Sequence, residues 1–204
     1  MSAVTQSALQ RHRISILRLL FLMVLPLLLF TRSAWEGNAA AHETTEVVGA
    51  LLVITGVLGR FWSILYSGGR KNQTIVQEGP YSVCRHPLYL FSTVAVVGFG
   101  VLMGSLIVTL VLGVLTFAIL AATARDEERF LRSKFGERYD DYAARVPAIL
   151  PKPSLFSTPQ IVEFDTGHLR TNLRDALVFL CFLPVAELIE FLHEEAILPS
   201  IPLW

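Results

Sequence analysis

The chain has 204 residues, 53% of them hydrophobic, and a mean hydropathy of +0.54. Charged residues make up 17%, below the ~25% of a typical soluble domain. The 17 basic and 17 acidic residues cancel, which argues against a nucleic-acid partner. Two cysteines, Cys84 and Cys181, are too few and too far apart for a disulfide framework. We expect a single membrane-embedded domain over residues 1–204.

Five apolar stretches approach the ~20 residues that a membrane-spanning helix needs. They lie at about 14–30, 47–66, twice within 88–123, and at 176–192. The run over 88–123 is too long for one span, so it predicts a helical hairpin with its turn near Met103-Gly104-Ser105. These stretches predict an all-α, polytopic membrane protein with about five transmembrane helices.

The first stretch follows a basic leader, and Ala39-Ala40-Ala41 resembles a signal-peptide cleavage site. The stretch is long for a signal peptide, and the alanines lie well beyond its end. We therefore expect an uncleaved first helix.

Lys and Arg residues predict the orientation, because cytoplasmic loops are enriched in them. Arg11 and Arg13 precede the first stretch, whereas the loop after it holds only Arg32. The regions 67–87 and 124–174 are again rich in basic residues. We expect the N-terminus and both of these regions on the cytoplasmic side, and the C-terminus outside if the last stretch spans.

Those two cytoplasmic regions concentrate polar residues next to helix ends, where membrane proteins keep them mainly for function. The first region ends at His86-Pro87, and proline suits the first turn of the helix that follows. The second begins at Arg125 with an amphipathic helix that Gly136 ends, and a short helix over 137–146 follows.

Several common kinds of site have no signature here. The sequence lacks a glycine-rich phosphate loop and a serine-hydrolase motif, and no metal-ligand spacing occurs. The histidines do not pair at i, i+4, so no metal site is predicted; they are His12, His42, His86, His168 and His193. The glycines of the apolar stretches are typical of close helix packing.

Two motifs remain, and together they identify a family. One is GPYSVCRHPLY at 79–89; the other is the Glu127-Glu128 pair followed by FGERYDDY at 135–142. In this order, on either side of a predicted hairpin, they resemble the isoprenylcysteine carboxyl methyltransferase family, which is similar to membrane phospholipid methyltransferases. The resemblance covers about 67–153, and the apolar segment 175–204 is additional. It implies transfer of a methyl group from S-adenosyl-L-methionine to a membrane-embedded or lipidic acceptor, most like the carboxylate of a prenylcysteine.

The resemblance also implies a cytoplasmic cofactor pocket. The positions it assigns to cofactor binding are Gln73, Thr74, Ile75, Val76, Tyr81, His86, Pro87, Leu88, Tyr89 and Glu127. The candidate catalytic residues are Arg85, His86, Glu127 and Glu128. A substrate-contacting arginine of the family corresponds to Thr123, with Arg125 close by, and this departure leaves the methyl acceptor open.

The chemistry of these side chains suits the cofactor. Arg85 or His86 can hold the carboxylate of its amino acid tail by a charge-assisted hydrogen bond. Glu127 can accept from the tail ammonium or the ribose hydroxyls. Tyr81 and Tyr89 can flank the adenine or the sulfonium, since an aromatic face attracts a cation.

Some of these residues also have a purely structural interpretation. Glu128 has Arg132 at i+4, an ordinary helix-stabilising pair. Arg85 can instead anchor a helix end at the lipid headgroups. Tyr139 and Tyr142 are expected to be packing residues that close the site.

Other functions stay open from the sequence. One is a methyltransferase with a phospholipid, a lipid amine or a small thiol as acceptor. Another is an NADPH-dependent membrane reductase, because sterol reductases have a similar C-terminal helical layout. The last is a non-enzymatic membrane protein or transporter. Binding of S-adenosylmethionine separates the methyltransferases from the other two.

Overall fold

The computed structural model describes residues 19, 22, 25–33, 38–70, 73–164, 166–195, 197, 199 and 201–203, and most of them are helical. Residues 25–30 are helical and lead into strand β1 (Thr31–Ser33). The helices that follow are α1 (Ala39–Ser67), α2 (Pro80–Val83), α3 (Pro87–Leu102), α4 (Leu106–Phe135), α5 (Glu137–Arg145), a 3-10 helix (Pro153–Leu155), α6 (Thr166–Leu180) and α7 (Phe182–Glu194). Strand β2 (Ile201–Leu203) ends the described chain.

Two of the helices, α1 and α4, are long and apolar enough to cross a membrane, and α3 is a shorter apolar helix. Large apolar side chains on α1 and α4 point away from the protein: Leu58 is 61% exposed and Leu110 is 66% exposed. An extended apolar surface of this kind is unfavourable in water and is normally covered by lipid or by another protein. Such a surface is typical of a protein that is embedded in a membrane.

The hairpin turn between α3 and α4 lies where the sequence predicts it. Helix α3 ends at Leu102, and Gly104 adopts a φ of +62°, a conformation that glycine reaches without strain. Ser105 then caps α4, because its hydroxyl accepts a hydrogen bond from the Val108 N–H. The predicted break at Gly136 is also confirmed, since α4 ends there and α5 begins at the next residue.

Helices α1 and α3 meet backbone to backbone along a line of glycines, which we call the glycine seam: Gly49 and Gly56 of α1 and Gly98 of α3. A Cβ atom on Gly98 would lie 2.7 Å from the backbone nitrogen of Val53, and one on Gly49 would lie 2.4 Å from that of Leu102. Glycine is needed at these positions because only its missing side chain permits such an approach.

The last apolar stretch differs from the prediction of one continuous span over 176–192. It is divided between α6 and α7, which are separated at Cys181. Pro184 gives the physical reason, because proline has no N–H to donate to the carbonyl of Leu180 and its ring clashes with that carbonyl. The helix must therefore restart before the proline.

The predicted all-α fold class is confirmed, and one small sheet adds to the helices. Strands β1 and β2 pair in parallel, with Thr31 opposite Ile201 and Ser33 opposite Leu203. Three residues are too few to show the alternation that marks a strand in a sequence. Most of the first predicted span, about 14–30, lies outside the described residues, and the part within them is helical at 25–30.

The glycine seam generates a prediction about stability. Gly98→Ala should lower the free energy of unfolding in detergent by about 1–3 kcal/mol, because the new methyl group meets backbone atoms that cannot rotate away. The measurement is the Tm of the purified variant. Gly113→Ala is the matched control, since its Cβ meets only the Val97 Cγ2 methyl, at 2.9 Å. Equal Tm values for the two variants would show that α1 and α3 do not need the close approach.

Candidate active site

Backbone hydrogen bonds fix the turn that carries the Arg-His-Pro motif. The N–H groups of Arg85 and His86 donate to the carbonyls of Pro147 and Ala148, at 2.9 and 3.0 Å. Pro87 then opens α3, where its missing N–H costs no helix bond. The motif is thus held between the start of α3 and the segment that follows α5.

Helix α5 folds back onto this turn because Gly136, with a φ of +57°, reverses the chain after α4. Tyr139 and Tyr142 of α5 are buried, being 1% and 3% exposed. The Tyr142 hydroxyl donates to the carbonyl of Tyr81 at 2.7 Å. These contacts close one side of the site with aromatic rings.

The Glu128 carboxylate is the centre of the polar contacts. The Arg85 side chain donates to Glu128 Oε1 from Nε at 2.9 Å and from Nη2 at 2.7 Å, and His86 Nε2 lies 3.1 Å from the same oxygen. Arg132 lies 3.7 Å from Glu128 Oε2 and is 46% exposed. The i+4 pair with Arg132 exists, but it is the longest of the contacts that Glu128 makes.

The Arg85 guanidinium also holds the end of α5. Its Nη1 donates to the carbonyls of Ala143 and Val146, at 2.7 and 2.8 Å. The last carbonyls of a helix have no partner within the helix, so a cation there satisfies them. Arg85 therefore links three parts of the site through Nε, Nη1 and Nη2.

These contacts determine the ionisation of Glu128, which lies in the charged end of α4, beyond its apolar stretch. Burial alone would raise the pKa of this carboxyl. The hydrogen bonds from His86 and Arg85 and the charge of Arg85 together outweigh burial and lower the pKa below its ordinary value. Glu128 is thus an anion at neutral pH.

Glu127 takes a different direction from its neighbour, as adjacent residues on a helix must. Its Oε2 accepts a hydrogen bond from the Tyr89 hydroxyl at 2.7 Å. The Tyr89 ring is stacked on the His86 ring, with centroids 5.4 Å apart and planes 9° apart. A series of contacts therefore connects Glu128 to Glu127 by way of His86 and Tyr89.

A pocket of about 660 Å³, including its open mouth, lies on the Glu127 side of these contacts. The residues that line it are Ser67, Thr74, Ile75, Val76, Tyr81, Arg85, His86, Pro87, Leu88, Tyr89, Glu127, Leu131, Tyr139 and Tyr142. The two sequence motifs, far apart along the chain, thus meet around one pocket.

Four of the candidate residues do not line this pocket. Gln73 is exposed beside the loop that supplies residues 74–76. Glu128 lies behind Arg85 and His86. Thr123 is fully buried, with its hydroxyl donating to the Ile119 carbonyl at 2.8 Å, and Arg125 is exposed. The structure thus brings neither of the candidate substrate positions into the pocket.

The sequence argument left four lining residues out of its candidate list. Leu131 lies four residues after Glu127, a spacing that places both on one face of α4, and could have been found this way. Tyr139 and Tyr142 were assigned only to packing. Ser67 ends α1, and no sequence signal relates it to the pocket.

The Tyr139 hydroxyl is buried and makes no hydrogen bond with the residues that the structure describes. Buried polar groups in proteins nearly always have a partner, so an exception calls for an explanation. Burial raises the pKa of Tyr139 well above its ordinary value, so the group stays a neutral hydroxyl. Because Tyr139 lines the pocket, a bound ligand or an ordered water is a candidate partner for this hydroxyl.

The contacts of Glu128 predict a large effect of its charge on stability. Glu128→Gln should cost about 3–5 kcal/mol of unfolding free energy, because Arg85 is left as an uncompensated buried cation. Glu127→Gln is the matched control and should cost about 1 kcal/mol, because its bonding partner Tyr89 is neutral. Thermal unfolding of both variants in detergent measures the difference.

The same comparison has a pH dependence with a defined sign. Because the folded-state pKa of Glu128 is lowered, its stabilisation is complete above the ordinary value of 4.5 and is lost as the pH falls through the folded-state pKa. The Tm gap between the wild type and Glu128→Gln should therefore be constant near neutrality and shrink only below pH 4.5. A gap that shrinks above that value would contradict the assignment.

Comparison with known proteins finds relatives over the whole chain. The chain is 37% identical over 202 residues to the cobalt-zinc-cadmium resistance protein CzcN of Cupriavidus metallidurans, covering 98% of this chain and 92% of that protein. It is 38% identical over 197 residues to the nickel-cobalt-cadmium resistance protein NccN of Alcaligenes xylosoxydans xylosoxydans, covering 95% and 90%.

The region that builds the pocket has further relatives. Residues 44–138 match the phospholipid methyltransferase family. The chain is 30% identical over 91 residues to the protein-S-isoprenylcysteine O-methyltransferase of Schizosaccharomyces pombe, covering 45% of this chain and 39% of that enzyme. No solved structure matches the chain. The chain thus belongs to the same family as CzcN and NccN, and its pocket-forming region is related to the isoprenylcysteine carboxyl methyltransferases and the membrane phospholipid methyltransferases.

Proposed function

We propose that the protein transfers a methyl group from S-adenosyl-L-methionine to a lipid or lipid-modified acceptor, in the pocket between α3, α4 and α5. The observation that carries the proposal is the composition of the pocket wall. It combines one carboxylate, Glu127, with tyrosine rings and aliphatic side chains. Such a wall suits a ligand that is cationic at one point, aromatic at another and polar between.

The unsatisfied Tyr139 hydroxyl supports the fit, because the cofactor carries hydroxyls, a carboxylate and ring nitrogens that can bond to it. When bound, S-adenosylmethionine supplies a methyl group on a sulfonium that is a good leaving group. We assign to Glu127 the binding of a positive or hydroxyl group, and to Tyr81 and Tyr89 the contact with the flat or cationic parts. The loop residues Thr74, Ile75 and Val76 cover the ligand.

Arg85 and Glu128 act in this proposal as positioning residues. Nε, Nη1 and Nη2 of Arg85 are already engaged with Glu128 and with backbone carbonyls, so its task is to hold α5 and the Arg-His-Pro turn in place. His86 is oriented by Glu128 and faces the pocket through its stack with Tyr89. Fixed geometry and exclusion of water then supply most of the rate.

The acceptor decides whether a base is needed. A carboxylate acceptor attacks the methyl carbon as an anion and needs none. An amine acceptor must lose a proton, and Glu127 and His86 are the pocket residues with the chemistry to take it.

We also propose that the chain crosses the membrane about five times, with the pocket on the cytoplasmic side. The excess of basic residues in 67–87 and 124–174 supports this orientation. The additional C-terminal segment supports a fifth crossing through its contacts with α1. Three contacts indicate that the two segments lie antiparallel, because residue numbers fall along the first as they rise along the second. They join Arg70 to the Glu163 carbonyl, Arg60 to the Phe179 ring, and His42 to Glu190. Together α6 and α7 thus extend from the pocket end of α1 to its other end.

The two relatives that match over the full length are named for resistance to cobalt, zinc, cadmium and nickel. We therefore propose that methyl transfer by this protein serves metal resistance in a membrane. A host that depends on the protein for growth in cobalt or zinc should lose that growth with Glu127→Gln, provided that the variant is expressed and folded. The acceptor class can be identified by incubating lipid extracts with the protein and S-adenosylmethionine that carries a labelled methyl group, and by finding which lipids take up the label.

Ligand binding tests the reaction class directly. We expect the purified protein in detergent to bind S-adenosylhomocysteine with micromolar affinity and not to bind NADPH, as measured by isothermal titration calorimetry. Glu127→Gln and His86→Ala should each weaken the binding at least ~tenfold, because each loses a polar contact to a charged or polar ligand group. Binding of NADPH instead, by folded protein, would move the reductase interpretation to the front.

The Tyr139 hydroxyl offers a second test, with Tyr142 as its matched control. Tyr139→Phe should leave the Tm unchanged or slightly higher, because the hydroxyl that it removes has no partner in the described structure, and it should weaken S-adenosylhomocysteine binding about 5–10-fold. Tyr142→Phe should lower stability by about 0.5–1.5 kcal/mol, because it removes the bond to Tyr81. A loss of stability in Tyr139→Phe with unchanged binding would show that the hydroxyl does not serve the ligand.

A further inference from the structure

A second cluster of chemically active side chains lies at the other end of α1. It consists of His42 and Glu46 of α1 and Glu190 of α7, and we call it the His-Glu-Glu cluster. His42 Nε2 lies 2.7 Å from Glu190 Oε1 and 3.5 Å from Glu46 Oε1. One ligand atom from each residue falls within 4.8 Å of the others.

The cluster is far from the methyltransferase pocket. Ser67, which lines the pocket, follows Glu46 by 21 positions on the same continuous helix, a separation of roughly 30 Å at the rise of an α-helix. That is about the thickness of a bilayer core. The cluster therefore belongs to the opposite membrane face, and its properties do not depend on the proposed methyl transfer.

The sequence gives no direct sign of this cluster, because Glu190 lies 148 residues after His42. His42 and Glu46 share one face of α1 through their i, i+4 spacing. Helix α6 packs along α1 and α7 contacts α3, and this arrangement brings the second carboxylate, Glu190, next to His42. The expectation of no metal site was based on the absence of a histidine pair. A site made of one imidazole and two carboxylates needs no such pair.

The His-Glu-Glu cluster has more potential negative charge than positive charge. Two carboxylates converge on a single imidazole, which carries at most one positive charge, so repulsion between the carboxylates is not fully offset. The Nδ1 atom of His42 is buried and makes no hydrogen bond with the described residues. Without a metal ion, Nε2 carries the ring proton, because the Glu190 carboxylate 2.7 Å away can only accept a hydrogen bond. A bound cation would take the Nε2 lone pair instead, and the proton of the neutral ring would then lie on Nδ1.

Distances fit a small transition-metal ion. Zinc binds imidazole nitrogen and carboxylate oxygen at about 2.0–2.2 Å, which places tetrahedral ligand atoms about 3.3–3.5 Å apart. His42 Nε2 and Glu46 Oε1 already have that separation, and His42 Nε2 and Glu190 Oε1 need to part by less than 1 Å to reach about the same value. The side chains are 23%, 38% and 38% exposed, so an ion can reach them.

We propose that His42, Glu46 and Glu190 bind a divalent transition-metal ion at the membrane face opposite the methyltransferase pocket. The imidazole nitrogen favours zinc, cobalt or nickel over magnesium and calcium, which prefer a shell of oxygen atoms. Three protein ligands leave a coordination position for water or for an exchanging ligand, as in open rather than closed zinc sites. The ion joins α1 to α7 and so fixes the C-terminal segment against the first long helix.

The competing interpretation is an interhelical hydrogen bond between His42 and Glu190 that needs no metal. Binding of the ion separates the two. The experiment uses the full chain in detergent, with any affinity tag removed, titrated with Zn²⁺ by calorimetry and with Co²⁺ by visible absorption. We expect one site per chain and a Co²⁺ spectrum of the intense type given by four-coordinate nitrogen and oxygen ligands.

Variants locate the site. Glu190→Gln and His42→Gln should each weaken Zn²⁺ binding at least ~tenfold, since loss even of groups outside the first ligand shell costs 10–100-fold. Glu195→Gln is the matched control, because it makes the same change at an exposed position at the end of the same helix, and it should leave binding unchanged.

Equal Zn²⁺ binding in all variants, or no binding by the wild type, overturns the proposal and leaves the hydrogen bond as the role of the cluster. The Tm without metal reports the fold of each variant. S-adenosylhomocysteine titration of the same samples reports the pocket separately, so a failure of the metal site and a failure of the proposed methyl transfer give different results.

Discussion

The ion pair between Glu128 and Arg85 is the interaction on which the geometry of the site depends. It is buried beside His86, and it joins the end of α4 to the turn before α3. Through Nη1 of Arg85 it also holds the last carbonyls of α5. Three pieces of chain are positioned by one carboxylate and one guanidinium, and the pocket is the space that they enclose. A buried pair of this kind is worth little as net stability but much as a constraint on geometry.

Adjacent residues on a helix point about 100° apart, and the two glutamates use that offset to separate two tasks. Glu128 faces inward, where the charges of the Arg-His-Pro turn compensate for burial. Glu127 faces the pocket, where it meets Tyr89 and any ligand. The stacked rings of His86 and Tyr89 stand between them. A change at one glutamate is therefore expected to act mainly on the fold, and a change at the other mainly on ligand binding.

Patterns within a few residues of sequence were enough to predict much of this architecture. The hairpin turn, the break at Gly136 and the proline start of α3 follow from backbone preferences that act within a few residues. The relation to membrane methyltransferases follows from two short motifs. Contacts between distant residues were not accessible in this way. The meeting of Glu190 with His42 and the pairing of β1 with β2 depend on how whole helices pack. The interruption at Cys181 was within reach, because Pro184 lies inside the predicted span, but hydropathy alone obscured it.

The glycine seam has a mechanical consequence for the molecule. Where side chains separate two helices, rotamer changes let one helix turn or slide against the other; where the backbones touch, no such adjustment exists. Helices α1 and α3 thus pack as one rigid unit along the seam. A displacement at the Ala39 end of α1, where His42 contacts Glu190 of α7, is therefore expected to reach the Ser67 end, beside the pocket, with little loss. The two ends of α1 are connected by direct backbone contact with α3 rather than by a series of adjustable side-chain contacts.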